Sequence, residues 1–344
     1  MRRAVDEPKR IAMSSNPDSN TNSAAAPLLE VCGLQLDFLK DGHALRAVDD
    51  VSFALKAGES ICLVGESGCG KSVTALSVAR LVPSPPARYV GGQIRVNGKN
   101  VFEMSPKELQ QIRGGVVSYI FQEPGASLNP VFRVGDQILE SLKLHRPASA
   151  TTEEVVQLLK LVGIPAPEAR VRDYPHQLSG GMQQRIMIAM ALASHPRLLI
   201  ADEPTTALDV TIQAQIIELL KDLRHRIGMS LLLITHNFGI VGDLADRVVV
   251  MYAGQIVELA PSSTLLARPL HPYTAALMNS VPKLGGGSDR LTAIPGNVPN
   301  LGNFPKGCRF HPRCPKARAE CSDSVPELRE VEPGHWVRCP FWMS

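Results

Sequence analysis

The sequence predicts an α/β protein on a mainly parallel sheet, with a mostly helical insertion, an antiparallel β subdomain and a small cysteine-containing extension. Three observations predict this. Ser60 to Val64, Gly65 to Ser72 and Val73 to Arg80 read as a buried strand, a glycine-rich loop and a helix. Short apolar runs then keep alternating with helical stretches up to about residue 260, as crossover connections require. After Pro261, Pro and Gly become frequent, and Cys308, Cys314, Cys321 and Cys339 follow.

In chain order, residues 1–27 read as a disordered tail. Arg2, Arg3, Lys9 and Arg10 precede a Ser/Asn/Pro/Ala stretch without the apolar core of a signal peptide, and Met13 offers an alternative start. The run from Leu28 to Phe38 alternates as a strand, Ala47 to Leu55 as another, and Asp41-Gly42 marks the turn between them. Gly92 to Val101 forms a hairpin edge around Asn97-Gly98. Val116 to Phe121 is a buried strand delivering Gln122 to a loop. The helical insertion covers about residues 123–178, with helices over Val134 to Leu144, Thr152 to Val162 and Pro167 to Arg172. A further helix opens at Leu178-Ser179-Gly180-Gly181-Met182-Gln183-Gln184-Arg185 and stops before Pro196. Leu198 to Glu203 is an apolar strand ending in two carboxylates, and Ile212 to Leu223 has helical periodicity. Ser230 to Thr235 is a buried strand ending at His236, and a hairpin around Ala253-Gly254 closes the unit. The expected division is 1–27 tail, 28–260 main domain and 261–344 extension.

The composition excludes several classes. With 344 residues and 44% hydrophobic content the chain can bury a sizeable core. A formal charge of +3 without a concentrated basic stripe argues against a nucleic-acid partner. No apolar run nears the roughly 18 residues of a membrane span, the longest smooth one being Ile186 to Ala193. Seven cysteines, two of them in or beside the glycine loop at Cys62 and Cys69, indicate a reducing compartment.

Gly65-Glu66-Ser67-Gly68-Cys69-Gly70-Lys71-Ser72 fits the phosphate-loop pattern. Its glycines let backbone N–H groups converge on phosphate oxygens beside a positive helix end. Lys71 can then reach the β- and γ-phosphates, and the Ser72 hydroxyl can hold Mg²⁺. Asp202 and Glu203 suit a Mg²⁺ ligand beside a proton acceptor, although two acids before Pro204-Thr205 also suit a helix cap. Gln122 alone is a turn residue and His236 alone a core histidine.

The order of these motifs changes their weight. Glycine loop, glutamine loop, Leu-Ser-Gly-Gly-Met-Gln-Gln-Arg, apolar-Asp-Glu, Ala-Leu-Asp and Thr-His together resemble the ATP-binding subunits of ABC transporters, over Leu28 to about Ala260. The resemblance implies two subunits sandwiching two ATP molecules head to tail. On it, Ser179, Gly180 and Gly181 serve the partner's nucleotide, and Asp209 lies at the dimer seam. Gln122 senses Mg²⁺ and the attacking water, His236 contacts the γ-phosphate, Glu203 is the general base and Phe38 stacks on adenine. A soluble ABC ATPase acting on DNA or ribosomes is disfavoured by the single cassette and the lack of a long coiled-coil insertion. A redox or metal sensor with an accessory ATPase stays open.

His271-Pro272-Tyr273-Thr274 and the four later cysteines are similar to the C-terminal extension of dipeptide, oligopeptide and nickel importer ATPases, and Asn129-Pro130 fits the same subgroup. That subgroup implies a second, related ATPase, so a heterodimer. It also implies two membrane-spanning permease subunits, an extracytoplasmic binding protein and a peripheral place on the cytoplasmic face of the inner membrane. The imported substrate stays open among dipeptide, oligopeptide, glutathione and nickel. Cys308, Cys314, Cys321 and Cys339 are expected to bind one centre, a 4Fe–4S cluster, with Zn²⁺ as the alternative. Their separations of five, six and seventeen residues lack the short Cys-x₂₋₄-Cys pair of structural zinc sites. Pro315 and Pro340 echo the Cys-Pro ending of ferredoxin motifs. His311 and His335 keep a mixed Cys/His zinc site open. Arg309, Arg313, Lys316 and Arg338 are expected to offset the cluster's charge.

Overall fold

A computed structural model describes residues 26–206, 208–280 and 294–343. The expected tail lies outside these residues up to Ala25, and so does Ala207 of the Ala-Leu-Asp motif. The strands, in chain order, are β1 (Leu29–Lys40), β2 (His43–Leu55), β3 (Ser60–Val64), β4 (Ala87–Val96), β5 (Lys99–Asn100) and β6 (Val117–Ile120). They continue with β7 (Leu198–Asp202), β8 (Ser230–Thr235), β9 (Arg247–Tyr252), β10 (Gln255–Pro261), β11 (Arg329–Glu332) and β12 (His335–Val337).

The eight-stranded sheet has the order β11-β12-β10-β9-β3-β8-β7-β6. From β9 to β6 its pairs are parallel, and β10, β12 and β11 extend it antiparallel. The central strands β3 and β8 are buried along their whole length, so apolar residues occupy both faces. Their two-residue period sorts the side chains into two cores. Cys62, Val64, Leu231, Leu233, Val248 and Val250 pack with the helical insertion. Ile61, Leu63, Leu232, Ile234, Val249 and Met251 pack with the antiparallel sheet β2-β1-β4-β5.

The three expected turns share one geometry. Asp41-Gly42, Asn97-Gly98 and Ala253-Gly254 all have positive φ at both residues, and they join strands whose last residues pair across a two-residue loop. Such loops match the twist of the strands they connect.

Between β6 and β7 lie helices Pro124–Ser127, Val134–His145, Thr152–Leu161, Pro167–Arg170 and Gly180–Leu192. Thr151 caps the third of these by accepting from the Glu154 N–H. The helix expected over 212–223 spans Val210–Ile227 instead. Asp209 caps its start, and Gly228 at φ 70 ends it. The β-branched pair Val210-Thr211 concealed that start, and the polar run Arg224-His225-Arg226 concealed its last turn.

Beyond Pro261 the chain folds back onto the main sheet. Helices Ser262–Ala267 and Pro272–Asn279 follow β10, and the β11–β12 hairpin returns so that Glu258 pairs with Val337 and Leu259 with Trp336. Glu258, fully buried, anchors this return. Its carboxylate accepts from the Leu270 and His271 N–H groups at 2.8 and 3.0 Å and meets His335 Nε2 at 2.7 Å.

Candidate active site

The loop after β3 takes its shape from its glycines. Gly65 sits at φ 152, where a Cβ would lie 2.2 Å from the Met251 carbonyl oxygen; Gly70, at φ 102, lies against the Ala47 carbonyl. The loop ends at helix Lys71–Ser77 and presents Lys71 on its first turn. The Lys71 ammonium is buried and donates to the Gly65 and Glu66 carbonyl oxygens at 2.8 and 2.9 Å. Both bonds go to acceptors of the loop itself, which a phosphate oxygen can replace.

At the end of β7, burial pushes the Asp202 carboxyl up, and a hydrogen bond from Ser72 counters that rise. Asp202 Oδ1 is buried with no partner. An orphaned carboxylate oxygen beside a hydroxyl is a donor set that fits a hard divalent cation. Ser72 and Asp202 are therefore the residues that would hold Mg²⁺.

The next residue, Glu203, has φ 46, a strained setting for a non-glycine residue. Its Oε2 accepts from Gln122 Nε2 at 3.0 Å and from the Thr206 hydroxyl at 2.9 Å. Its Oε1 lies 3.4 Å from His236 Nδ1. Gln122, Thr206 and His236 thus surround one carboxylate. Thr206 was not foreseen, since its only signal was a hydroxyl three residues after a strand-end acid.

One open cleft of about 1140 Å³ is lined by Phe38, Ser67, Gly68, Gly70, Lys71, Ser72, Gln122, Glu203 and His236, together with Ala47, Val73 and Leu301. Leu301 comes from the extension and had no signal in the sequence. Ser179 and Gly180 are exposed at the start of helix Gly180–Leu192 and, like Gly181 and Asp209, do not line this cleft. They adjoin one another: Leu208 is next to Gly180 and Ile212 next to Gly181. Beyond Gln122 a second cleft runs between the sheet edge and the insertion, past Phe121, Ser141, His145, Met187 and Met190. Phe121 is exposed there, and Val131, Phe132 and Leu144 of the insertion are exposed too, Val131 to 72%.

Cys308, Cys314, Cys321 and Cys339 line a single small cavity of about 20 Å³, with Phe310 and His311 among the other walls. Among the described residues no group of three or more His, Cys, Asp or Glu could hold a single metal ion. Burial pushes the thiols of Cys308 and Cys314 up, and that of Cys339 to about 11. His335 does not join them, since it is buried against Glu258. Three of the four basic neighbours already have other acceptors. Arg309 donates to the Ala253 carbonyl and pairs with Asp49 at 2.5 Å, Arg313 pairs with Glu66 at 2.8 Å, and Arg338 donates to the Ile256 carbonyl and lies 3.6 Å from Asp50. A charge-assisted guanidinium–carboxylate bond is stronger than one to a neutral thiol.

Two family models match the chain: ABC transporter over residues 48–206, and oligopeptide/dipeptide transporter, C-terminal region, over residues 257–321. The chain is 49% identical over 335 residues to "Probable peptide ABC transporter ATP-binding protein y4tR" of Sinorhizobium fredii, covering 96% of this chain and 98% of that one. It is 49% identical over 314 residues to the oligopeptide transport ATP-binding protein AppD of Bacillus subtilis, covering 91% and 96%. The solved ATP-binding cassette MJ0796, a dimer bound to ADP and Pi, superposes with a TM-score of 0.60 at 24% identity, covering 68% of this chain and 98% of that one. That likeness concerns the fold.

Proposed function

Because this chain belongs to the ATP-binding proteins of peptide ABC transporters, we propose that it hydrolyses ATP to power the import of di- or oligopeptides. The observation that carries this reading is the cleft in which Lys71 and Ser72 face Gln122, Glu203 and His236, with Asp202 bonded to Ser72 and Thr206 bonded to Glu203. The glycine loop and Lys71 cradle the triphosphate, and Phe38 stands where the adenine stacks. Ser72 and Asp202 would hold Mg²⁺, which when bound neutralises charge developing on the β- and γ-phosphate oxygens. Glu203 takes the proton of the attacking water, Gln122 orients that water, and His236 donates toward the γ-phosphate.

Exposed Ser179, Gly180 and Asp209, clustered with half-buried Gly181, serve the nucleotide of a second subunit across a head-to-tail seam. The exposed apolar side chains of Phe121, which lines the cleft past Gln122, and of Val131 and Phe132 in the insertion suit docking to membrane-spanning permease subunits. No helix among the described residues is long and apolar enough to cross a membrane. On the family reading the chain acts as a peripheral subunit on the cytoplasmic face of the inner membrane, with a related second ATPase, two permeases and an extracytoplasmic binding protein. A 4Fe–4S cluster would sit among Cys308, Cys314, Cys321 and Cys339, whose side chains line one cavity. Each iron corner takes one thiolate. Its role is to brace a loop-rich extension. Purification from membranes tests the whole reading: permease subunits should accompany the chain, whereas a soluble chain bound to nucleic acid would contradict it.

A further inference from the structure

The His-Pro-Tyr motif has no part in the chemistry above, yet it reaches the phosphate loop. We propose that the C-terminal extension positions that loop, with Tyr273 and Arg313 acting as positioning residues on Glu66. The inference rests on the nucleotide-site reading.

His271 starts helix Pro272–Asn279, its Nδ1 accepting from the Tyr273 N–H at 3.1 Å. The fixed turn sends Tyr273 into the core, where its ring packs on Tyr252 and Phe310 at 4.6 and 5.3 Å. The Tyr273 hydroxyl oxygen accepts from the Glu66 N–H at 2.8 Å, across 207 residues of sequence. That N–H and the Gly65 carbonyl belong to one planar peptide unit. The Gly65 carbonyl is also an acceptor of the Lys71 ammonium. Tyr273 and Lys71 therefore hold opposite ends of a single peptide plane, and Tyr273 sets the rotation from which Lys71 is aimed.

Arg313 holds the rest of Glu66. Its two terminal nitrogens donate to Oε2 and Oε1 at 2.8 and 3.0 Å, a bidentate pair. Arg313 is itself fixed, donating from Nε to the Pro295 carbonyl at 2.8 Å, with its side chain only 6% exposed. Without it, a carboxylate within the phosphate loop would stand free beside an incoming triphosphate. Arg313 neutralises that charge and turns it away from the cleft. The backbone N–H and the side-chain carboxylate of Glu66 are thus both held by the extension, which neither family motif nor local sequence would indicate.

The test is a titration of full-length chain with Mg²⁺–ATP, run beside urea denaturation of the same preparations. Tyr273→Phe deletes one oxygen and keeps the ring, and should weaken ATP binding by ~3–10-fold in folded protein. Arg313→Met should weaken it by ~10-fold or more, Arg313→Lys should recover part of that loss, and adding Glu66→Gln to Arg313→Met should restore it. A merely structural contact would lower the urea midpoint, leave ATP affinity unchanged and show no rescue by Glu66→Gln. Affinities within twofold of wild type in both Tyr273→Phe and Arg313→Met would overturn the inference. Wild-type protein that binds no ATP would instead overturn the nucleotide-site reading beneath it.

Discussion

Glu203→Gln isolates the proposed base with little disturbance around it. Glutamine has nearly the same shape, and at φ 46 it bears the same backbone strain as glutamate, so the strain cancels between wild type and variant. Its carbonyl can still accept from Gln122 or Thr206, which now hold Oε2 at 3.0 and 2.9 Å. What disappears is the negative charge and the capacity to take a proton. Losing a positioned general base lowers turnover by ~10²–10⁴-fold, about 3–5 kcal/mol of barrier. ATP affinity should hold or rise, because a negative charge facing the triphosphate is removed. The assay is ATP turnover in the assembled transporter, with nucleotide occupancy measured on the same sample. Turnover within a few-fold of wild type would refute the assignment of Glu203. So would a variant that lost turnover only because it no longer bound ATP.

Further outcomes follow from other parts of the molecule. Lys71→Ala should abolish nucleotide binding in its own subunit. Gly180→Asp should leave that site filled and impair the opposite one, as nucleotide trapping with distinguishable subunits would reveal. Position 180 is the cleaner choice, since a Cβ there meets Leu208 at an ordinary 3.6 Å while one at Gly181 presses Ile212 at 2.8 Å. Protein purified without oxygen should carry iron and acid-labile sulfide; colourless protein with stoichiometric zinc would exclude the cluster, and protein without metal would exclude the site. Burial pushes the His271 imidazole down to about 4, while the unfolded chain protonates near the ordinary value of about 6.5. Its contribution is therefore complete above pH 6.5 and is lost as pH falls from there through 4, approaching roughly 3 kcal/mol. His271→Asn keeps a cap acceptor for the Tyr273 N–H and should flatten the urea-midpoint profile between pH 7 and 4.5. Parallel profiles for variant and wild type would contradict it.

The parts legible in the sequence are those whose cause is local. β8 was read to the residue because an apolar run bounded by Met229 and His236 has only one way to lie in a parallel sheet. The three hairpin turns announced themselves by a glycine at their second position, preceded in two of them by Asp or Asn, while Ala253 at φ 47 carries the cost of its own Cβ. The phosphate loop was legible for the same reason. Its long-range partners were not. The Tyr273 and Arg313 contacts to Glu66 span 207 and 247 residues, and no periodicity encodes which tyrosine meets which amide. The return of β12 onto β10 is equally remote, because Glu258 reads locally as the polar position of a hairpin and only the fold makes it a fully buried anchor. Asp209 illustrates a different gap. Its place in an Ala-Leu-Asp motif drew attention to a dimer seam, while its observed local task is to cap helix Val210–Ile227 by accepting from the Ile212 N–H at 2.9 Å.

The central claim is that this ATPase spends its turnover on moving peptide. The most direct measurement reconstitutes the chain with its second ATPase, permeases and binding protein in vesicles, and follows accumulation of labelled di- and oligopeptides. Accumulation should require hydrolysable ATP and should vanish with Lys71→Ala or Glu203→Gln in this subunit. Steady ATP hydrolysis without accumulation of any peptide, or accumulation undiminished by a non-hydrolysable analogue, would contradict the account.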